Sequence, residues 1–293
     1  MWIAVTICAG AIQTGRFVLQ KKLAGSGLSA GGATFSRFVF GAPIAILAAL
    51  LLLLGTGAQM PALPASFWGF AALGGFAQAA ATMALVRLFL MRNFAVGVAF
   101  SKTEIVQVAL FSFLILGESI TALAAVGIAI GLVGVLVLSK PPQGGRVAGR
   151  AAVLGIVAGG LFGLSAICYR GATLQLEGLP ALARALVTLG CVTTLQSFGM
   201  AAWLRLREPK ELSRVFARWR MTIWVGVLGI LGSAGWFFAF ALQNAAYVRA
   251  LGQIEMVFTL CASWLIFHEK LQRREGLGIA LIIVSLMLVV IGG

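Results

Sequence analysis

Aspartate is absent from the 293 residues, and His268 is the one histidine. Hydrolysis, metal chemistry and phosphoryl transfer draw on clustered Asp, Glu and His, so their usual inventory is nearly missing. Charged residues make up 10% of the chain, against about 25% in a soluble domain. The four cysteines, Cys8, Cys168, Cys191 and Cys261, lie in apolar runs without CxxC spacing. They imply no disulfide framework and no zinc site, and read as small apolar residues. No glycine pattern makes a dinucleotide or P-loop motif in a strand-to-helix context. No cofactor or metal is expected.

What the chain has instead is apolar length. Hydrophobic residues form 61% of it and the mean hydropathy is +1.04, which excludes a soluble globular domain and a disordered one. The expected fold class is an all-α integral membrane protein, since an open sheet leaves backbone groups unpaired in lipid. Crossing a bilayer takes about 20 apolar residues. Ten such spans are predicted: approximately Trp2–Leu19, Ala33–Leu54, Phe67–Leu88, Ala95–Leu116, Thr121–Leu138, Ala151–Tyr169, Ala181–Leu204, Met221–Leu242, Tyr247–Phe267 and Gly276–Ile291. No positive residue precedes the first run, and Arg16, Lys21 and Lys22 follow it. It reads as a membrane helix rather than a cleaved leader. Pro43 alone among the prolines falls inside a span, where it predicts a kink.

The stretch from Lys140 to Arg150 divides the chain near its middle, and the halves resemble each other. A shift of 151 residues puts Glu104 on Glu255, Val106 on Val257, Ser112 on Ser263, Glu118 on Glu269 and Asn93 on Asn244. Ala9-Gly10 matches Ala158-Gly159 at a slightly different offset. Coincident glutamates carry weight in a chain with eight acidic residues. The reading is two five-helix repeats, 1–140 and 151–293, joined by a linker at 141–150. An odd helix number makes the second repeat enter the membrane from the other side, an inverted pair.

Net charge is +14. The basic residues gather in odd-numbered connections, most densely in the seventh, with Arg205, Arg207, Lys210, Arg214, Arg218 and Arg220. The positive-inside rule places those loops in the cytoplasm and both termini outside, in a bacterial-type inner membrane. The seventh connection is expected to be a solvated cytoplasmic loop, with a membrane-surface or nucleic-acid patch as the alternative.

An ionisable residue deep in a span costs about 2.5–3.5 kcal/mol on insertion scales and usually faces a cavity or a partner. Glu104 and Glu255 are the strongest such positions. Low dielectric favours the neutral form of a carboxyl, which makes them candidates for proton coupling as well as for lining a cavity. Lys102 lies two residues before Glu104, about 200° around a helix, so the two do not face each other. It points into the cavity or snorkels to the interface. Its repeat partner is Gln253, and specificity is expected where the symmetry breaks. Gln13 and Arg16 share one face of the first helix. Gln78, Gln107, Trp236, Gln243, Asn244 and Arg249 are further polar or aromatic candidates. Arg37 and Arg184 read as structural anchors. Gly127-xxx-Gly131 and Gly155-xxx-Gly159-xxx-Gly163 read as helix contacts.

The sequence Thr-Glu-Ile-Val…Leu-Gly-Glu at 103–118 recurs as Ile-Glu-Met-Val…Phe-His-Glu at 254–269. With the ten spans and the doubled unit, this resembles the drug/metabolite transporter superfamily, specifically chains with two EamA domains. The family commonly carries a proline after the first glutamate. Ile105 and Met256 stand there, so the helix break such a proline gives lacks its usual cause. His268 replaces a glycine, and Arg37 matches an arginine of the family's second helix. The resemblance implies a secondary transporter with a central pocket and alternating access, a small-molecule substrate, and a lipid bilayer with protons as further partners. A monomer or a homodimer is expected. A lipid-headgroup flippase on the same fold is the alternative, and an integral membrane enzyme a weaker one.

Overall fold

The computed structural model describes residues 1–25, 27–89, 101–138, 149–176, 178–258 and 273–293. Among them the helices are α1 (Trp2–Gly25), α2 (Ala30–Val39), α3 (Gly41–Thr56), α4 (Ala65–Phe89), α5 (Glu104–Leu116), α6 (Ala122–Leu138), α7 (Gly149–Leu174), α8 (Ala181–Arg207), α9 (Pro209–Ala217), α10 (Trp219–Leu242), α11 (Ala245–Leu251) and α12 (Arg273–Ile291). No strand occurs among the described residues. Among the described residues five segments are long and apolar enough to cross a membrane: Ala30–Thr56, Ala65–Leu88, Val153–Leu174, Ala181–Arg207 and Trp219–Leu242. Glu104–Leu116, Ala122–Val137 and Gly276–Ile291 are shorter apolar helices. The expected fourth and ninth spans and the 141–150 linker run into 90–100, 259–272 and 139–148, outside the described residues. Cys261, His268, Glu269 and Asn93 lie there too.

The surface is apolar where a soluble protein is polar. Leu54 is 79% exposed, Phe198 74% and Phe76 71%. Side chains of this size facing outward suit lipid, not water. The interior holds the polar groups: Arg16, Arg37, Glu104, Gln196, Gln253 and Glu255 are all buried.

The most extensive helix pairs are α6 with α12, α4 with α7, α1 with α10, and then α3 with α8 and α5 with α7. Small residues allow the first of these. A methyl at Gly127 would lie 3.0 Å from Leu288 Cβ, and one at Gly134 would lie 3.0 Å from Leu281 Cβ. Pro43 cannot donate to the Val39 carbonyl, and the expected kink appears as a break at Phe40 between α2 and α3. Gly226 of α10 receives the bend, since a methyl there would sit 2.5 Å from Phe40 Cβ.

Loops gather at two ends. At one, Ser66 Oγ donates to Gln175 Oε1 at 2.7 Å and Arg170 reaches Glu118 and the Phe240 carbonyl. Gly117 ends α5 with φ +67°, so Gly117 N–H meets Phe113 O and Glu118 N–H meets Ser112 O. Glycine takes this left-handed cap without the Cβ penalty. The cap presents Glu118, which accepts from Arg170 Nε at 2.9 Å and from a terminal N–H at 2.6 Å.

At the other end lies a correction. The seventh connection is not a solvated loop throughout, because it folds as α9. Pro209 suits a first helical position, Glu211 favours the first turn, and Leu212, Val215 and Phe216 recur at helical spacing. Val215 is buried with Leu28, Phe35, Phe38 and Leu204. Two carboxylates then secure the start of α2. Glu211 Oε2 accepts from Ser29 N–H at 2.8 Å, and Glu208 accepts from the Ser29 hydroxyl. Burial alone would push the Glu211 carboxyl up. Hydrogen bonds from the Ser29 N–H and from Arg214 outweigh it and hold the group below the usual carboxylate range.

Candidate functional site

Both glutamates singled out in the sequence follow a helix break. Lys102 and Thr103 form a turn before α5, with Ile105 N–H on Lys102 O at 3.4 Å and Val106 N–H on Thr103 O at 3.1 Å. Gly252 and Gln253 form a turn after α11, with Glu255 N–H on Gly252 O at 3.1 Å and Met256 N–H on Gln253 O at 2.9 Å. Bonds from i+3 to i mark the tightened 3₁₀ pattern. No proline is responsible, and the physical cause is close packing on glycine. A Cβ at Gly159 of α7 would meet Ser101 O at 2.5 Å and Glu104 N at 3.2 Å. Its sequence match, Gly10 of α1, faces Glu255 N at 3.9 Å. Gly252 carries the second break because a methyl there would strike the Trp236 ring at 2.6 Å.

The carboxylates are held by cations from the opposite half of the chain. Lys102 Nζ lies 3.3 Å from Glu255 Oε1. Arg249 grips Glu104 Oε1 through Nε–H and a terminal N–H. Lys102 therefore neither faces Glu104 along its own helix nor snorkels to the interface. The Arg249 guanidinium lies 4.9 Å from the Trp236 ring centroid, a cation–π distance. Trp236 Nε1–H donates to Gln13 Oε1 at 3.0 Å, and Gln13 Nε2 donates to Glu255 Oε2 at 2.9 Å. One continuous polar chain thus runs from Glu104 through Arg249, Trp236, Gln13 and Glu255 to Lys102, across α5, α11, α10, α1 and the two breaks.

Arg16 sits one turn from Gln13, buried, with a terminal N–H on Gln20 Oε1 at 2.5 Å. Two sequence candidates fall elsewhere. Gln253 is 2% exposed and packs where α6 meets α12. A methyl at Gly131 would lie 2.6 Å from its Nε2 and 2.5 Å from Ser285 Oγ. Its amide nitrogen and oxygen, and the Ser285 hydroxyl, have no hydrogen-bond partner among the described residues. Asn244 caps α11, accepting from Ala246 N–H at 2.8 Å and from Ser112 Oγ at 3.1 Å. A capping role explains it fully.

A second polar layer contains one sequence candidate, Gln78, while Tyr169 and Gln196 escaped the sequence reading. Tyr169 O–H lies 3.0 Å from Gln78 Oε1, to which Gln196 Nε2 also donates at 3.0 Å. Arg37 lies beside it, donating to Thr82 Oγ1 at 3.3 Å and to Ser233 Oγ at 2.9 Å. The available signal was Tyr169 itself, one of two tyrosines in the chain and well inside a span.

Residues 149–291 match the EamA-like transporter family. The match covers the second half of the chain and includes Arg249, Gln253 and Glu255 as well as three helices apolar enough for a membrane, Val153–Leu174, Ala181–Arg207 and Trp219–Leu242. The match is consistent with the drug/metabolite transporter superfamily. Comparison with curated proteins finds no match. Among solved structures 28 chains match. One crystal structure is 14% identical, covers 98% of this chain and 94% of its own, and superposes with a TM-score of 0.70. Likeness at that identity speaks for the fold.

Proposed function

We propose that the chain is a secondary transporter that moves a small polar or amphipathic metabolite across a bacterial-type inner membrane by alternating access. In this reading residues 1–140 and 151–293 are inverted five-helix repeats, ten spans in all, with odd-numbered loops in the cytoplasm and both termini outside. The helix pairing supports it. The α1–α10 contact has its counterpart in α7–α4, while α3–α8 and α6–α12 pair equivalent helices. That is the pattern a two-fold axis in the membrane plane produces.

The observation that carries the function is the crossed pairing of Glu104 and Glu255. Each carboxylate follows an equivalent helix break, and each is neutralised by a cation from the other half. Separating the halves on one side breaks these pairs and exposes polar groups able to take a solute. Closing them restores low-dielectric pairing and drives the solute on. Glu104, Glu255, Lys102, Gln13, Arg16 and Trp236 are the residues we assign to solute and ion contact, with Gln253 and Asn244 supporting the helices around them. A proton on either glutamate removes the attraction that holds its cation, which links opening to proton entry, and each proton carried across gains about 2.3 kcal/mol per 100 mV of membrane potential.

The test is uptake into proteoliposomes from a labelled metabolite panel under a pH gradient. Glu104→Gln is expected to lose gradient-driven uptake while retaining solute exchange. Gradient-driven uptake at the wild-type rate in both Glu104→Gln and Glu255→Gln would remove the coupling role.

A further inference from the structure

Three span ends meet around α9. Ala30 opens one span, Arg207 closes another and Trp219 opens a third, and α9 bridges the last two while packing on α2, α8 and α10. The segment therefore lies at the level where the apolar core of a bilayer gives way to headgroups. Between 205 and 220 the chain carries six cations and two carboxylates, Glu208 and Glu211. Both carboxylates turn inward, onto the Ser29 hydroxyl and the Ser29 N–H.

The outward side is left basic. Arg205, Arg207, Lys210 and Arg220 are exposed, with no carboxylate within ion-pair distance among the described residues. Arg214 pairs with Glu211 yet keeps 56% of its side chain exposed. Lys210 and Arg214, four residues apart, share one outer face of α9, while Glu211 and Val215 are buried.

Large apolar side chains are interleaved with these cations. Leu206, Phe216, Trp219 and Trp224 are all exposed, Leu206 by 82%. The Arg220 guanidinium lies 5.9 Å from the Trp219 ring centroid. Trp224 stands five residues further into its span, about 7.5 Å deeper along the helix, on the side of the acyl chains. Cations at headgroup level, indole rings beside them and apolar side chains beneath complement an acidic lipid, whose phosphate and tails arrive at those same depths. A nucleic acid offers phosphates but no tails for Leu206 and Trp224, and fits the surface less well.

We infer that α9 and the span ends beside it form a docking surface for anionic lipid, with Arg205, Arg207, Lys210 and Arg220 on the headgroup phosphates and Leu206, Phe216 and Trp219 among the upper acyl chains. The surface is independent of what the chain transports. Because the same segment holds Ser29 at the start of α2, a lipid seated there also steadies that end of the bundle.

The experiment reconstitutes the full chain in phosphatidylcholine nanodiscs with increasing phosphatidylglycerol, and in vesicles where one lipid or the other carries brominated chains. Bromine quenches nearby tryptophan, so the two quenching curves give the preference for phosphatidylglycerol over phosphatidylcholine. At about 0.1 M sodium chloride, where the screening length is about 10 Å, a preference of about fivefold or more is expected, with a saturable rise in Tm. One cation near an anionic surface is worth about fivefold. Arg207→Gln, Lys210→Gln and Arg220→Gln combined should therefore bring the preference to within about twofold of unity, with Tm in pure phosphatidylcholine unchanged. Trp219→Phe and Trp224→Phe combined should lose most of the selective quenching. Should the triple variant not fold, the unmodified chain at about 1 M salt, where the screening length is about 3 Å, should show the same loss of preference. No preference at low salt, one unchanged in the triple variant or at high salt, or selective quenching that persists without the two tryptophans overturns the inference. Retention of a single-stranded oligonucleotide in pure phosphatidylcholine discs, without any lipid preference, overturns it in favour of a nucleic acid.

Discussion

The carbonyl oxygen of Ser101 lies against the bare Cα of Gly159, only 2.5 Å from where a methyl group on that glycine would stand. The break before Glu104 exists because α7 offers no side chain there. Gly159→Ala therefore presses directly on backbone, and overpacking of this kind costs about 1–3 kcal/mol. The related position tolerates more: a methyl on Gly10 finds its nearest atom at 3.6 Å, in the ordinary contact range. Thermal unfolding of the two variants should show a Tm several degrees lower for Gly159→Ala and little change for Gly10→Ala. Equal effects would dissociate the glycine from the break.

Glu104 and Arg249 form the tighter of the two crossed pairs. Removing one partner of a buried pair costs about 3–5 kcal/mol, because it strands the other charge. Glu104→Gln and Arg249→Gln should each destabilise strongly, and the double variant should cost less than their sum. A double-mutant cycle measured by thermal or denaturant unfolding gives the coupling, expected above about 1 kcal/mol. Strict additivity would mean that the two side chains act independently.

Arg170 spans three elements, holding Glu118 after α5 and the Phe240 carbonyl near the end of α10. Glu118→Ala leaves a partly buried guanidinium with a carbonyl as its remaining partner here. Its thermal stability should fall, and Arg170→Gln in the same chain should recover part of the loss. No recovery would show that the carboxylate stabilises through something other than Arg170.

Acid sensitivity should arise at the opposite end. The Glu211 carboxyl is held below its ordinary range when folded. It therefore adds stability that is fully present above the unfolded-state value and is lost as pH falls through the folded value. Tm followed from pH 7 downward should drop below the normal carboxylate titration range. Glu211→Gln should start lower and show a shallower drop. Parallel curves for the two proteins would assign the acid effect to other groups.

The helical class was legible because the outward apolar face of each span is written directly into composition. The glutamate pair was legible because acidic residues are rare here and the 151-residue shift aligns two of them. Lys102 and Arg249 were candidates as well, but their pairing with these carboxylates was not legible, because Lys102 and Glu255 are 153 residues apart and meet only through tertiary packing. The breaks were hidden for a related reason: Ile105 and Met256 gave no local cause, and the real one is glycine on other helices. Gln253 was misjudged by register. The second break begins one residue earlier than the shifted first one, and one residue is about 100° of rotation, enough to turn Gln253 toward Gly131 and Ser285. In the seventh connection the density of arginines masked three apolar residues that make α9 a helix.

Lys102 and Arg249 hold equivalent carboxylates from inequivalent positions, since a 151-residue shift of Lys102 arrives at Gln253 and not at Arg249. A chain with perfect two-fold balance would favour neither side of the membrane when no gradient is applied. This one closes one seam with a forked, doubly bonded guanidinium and the other with a single ammonium. In the alternating-access reading proposed above, two facing states closed by such different latches are unequal in energy, and the reading gives the molecule a preferred resting direction.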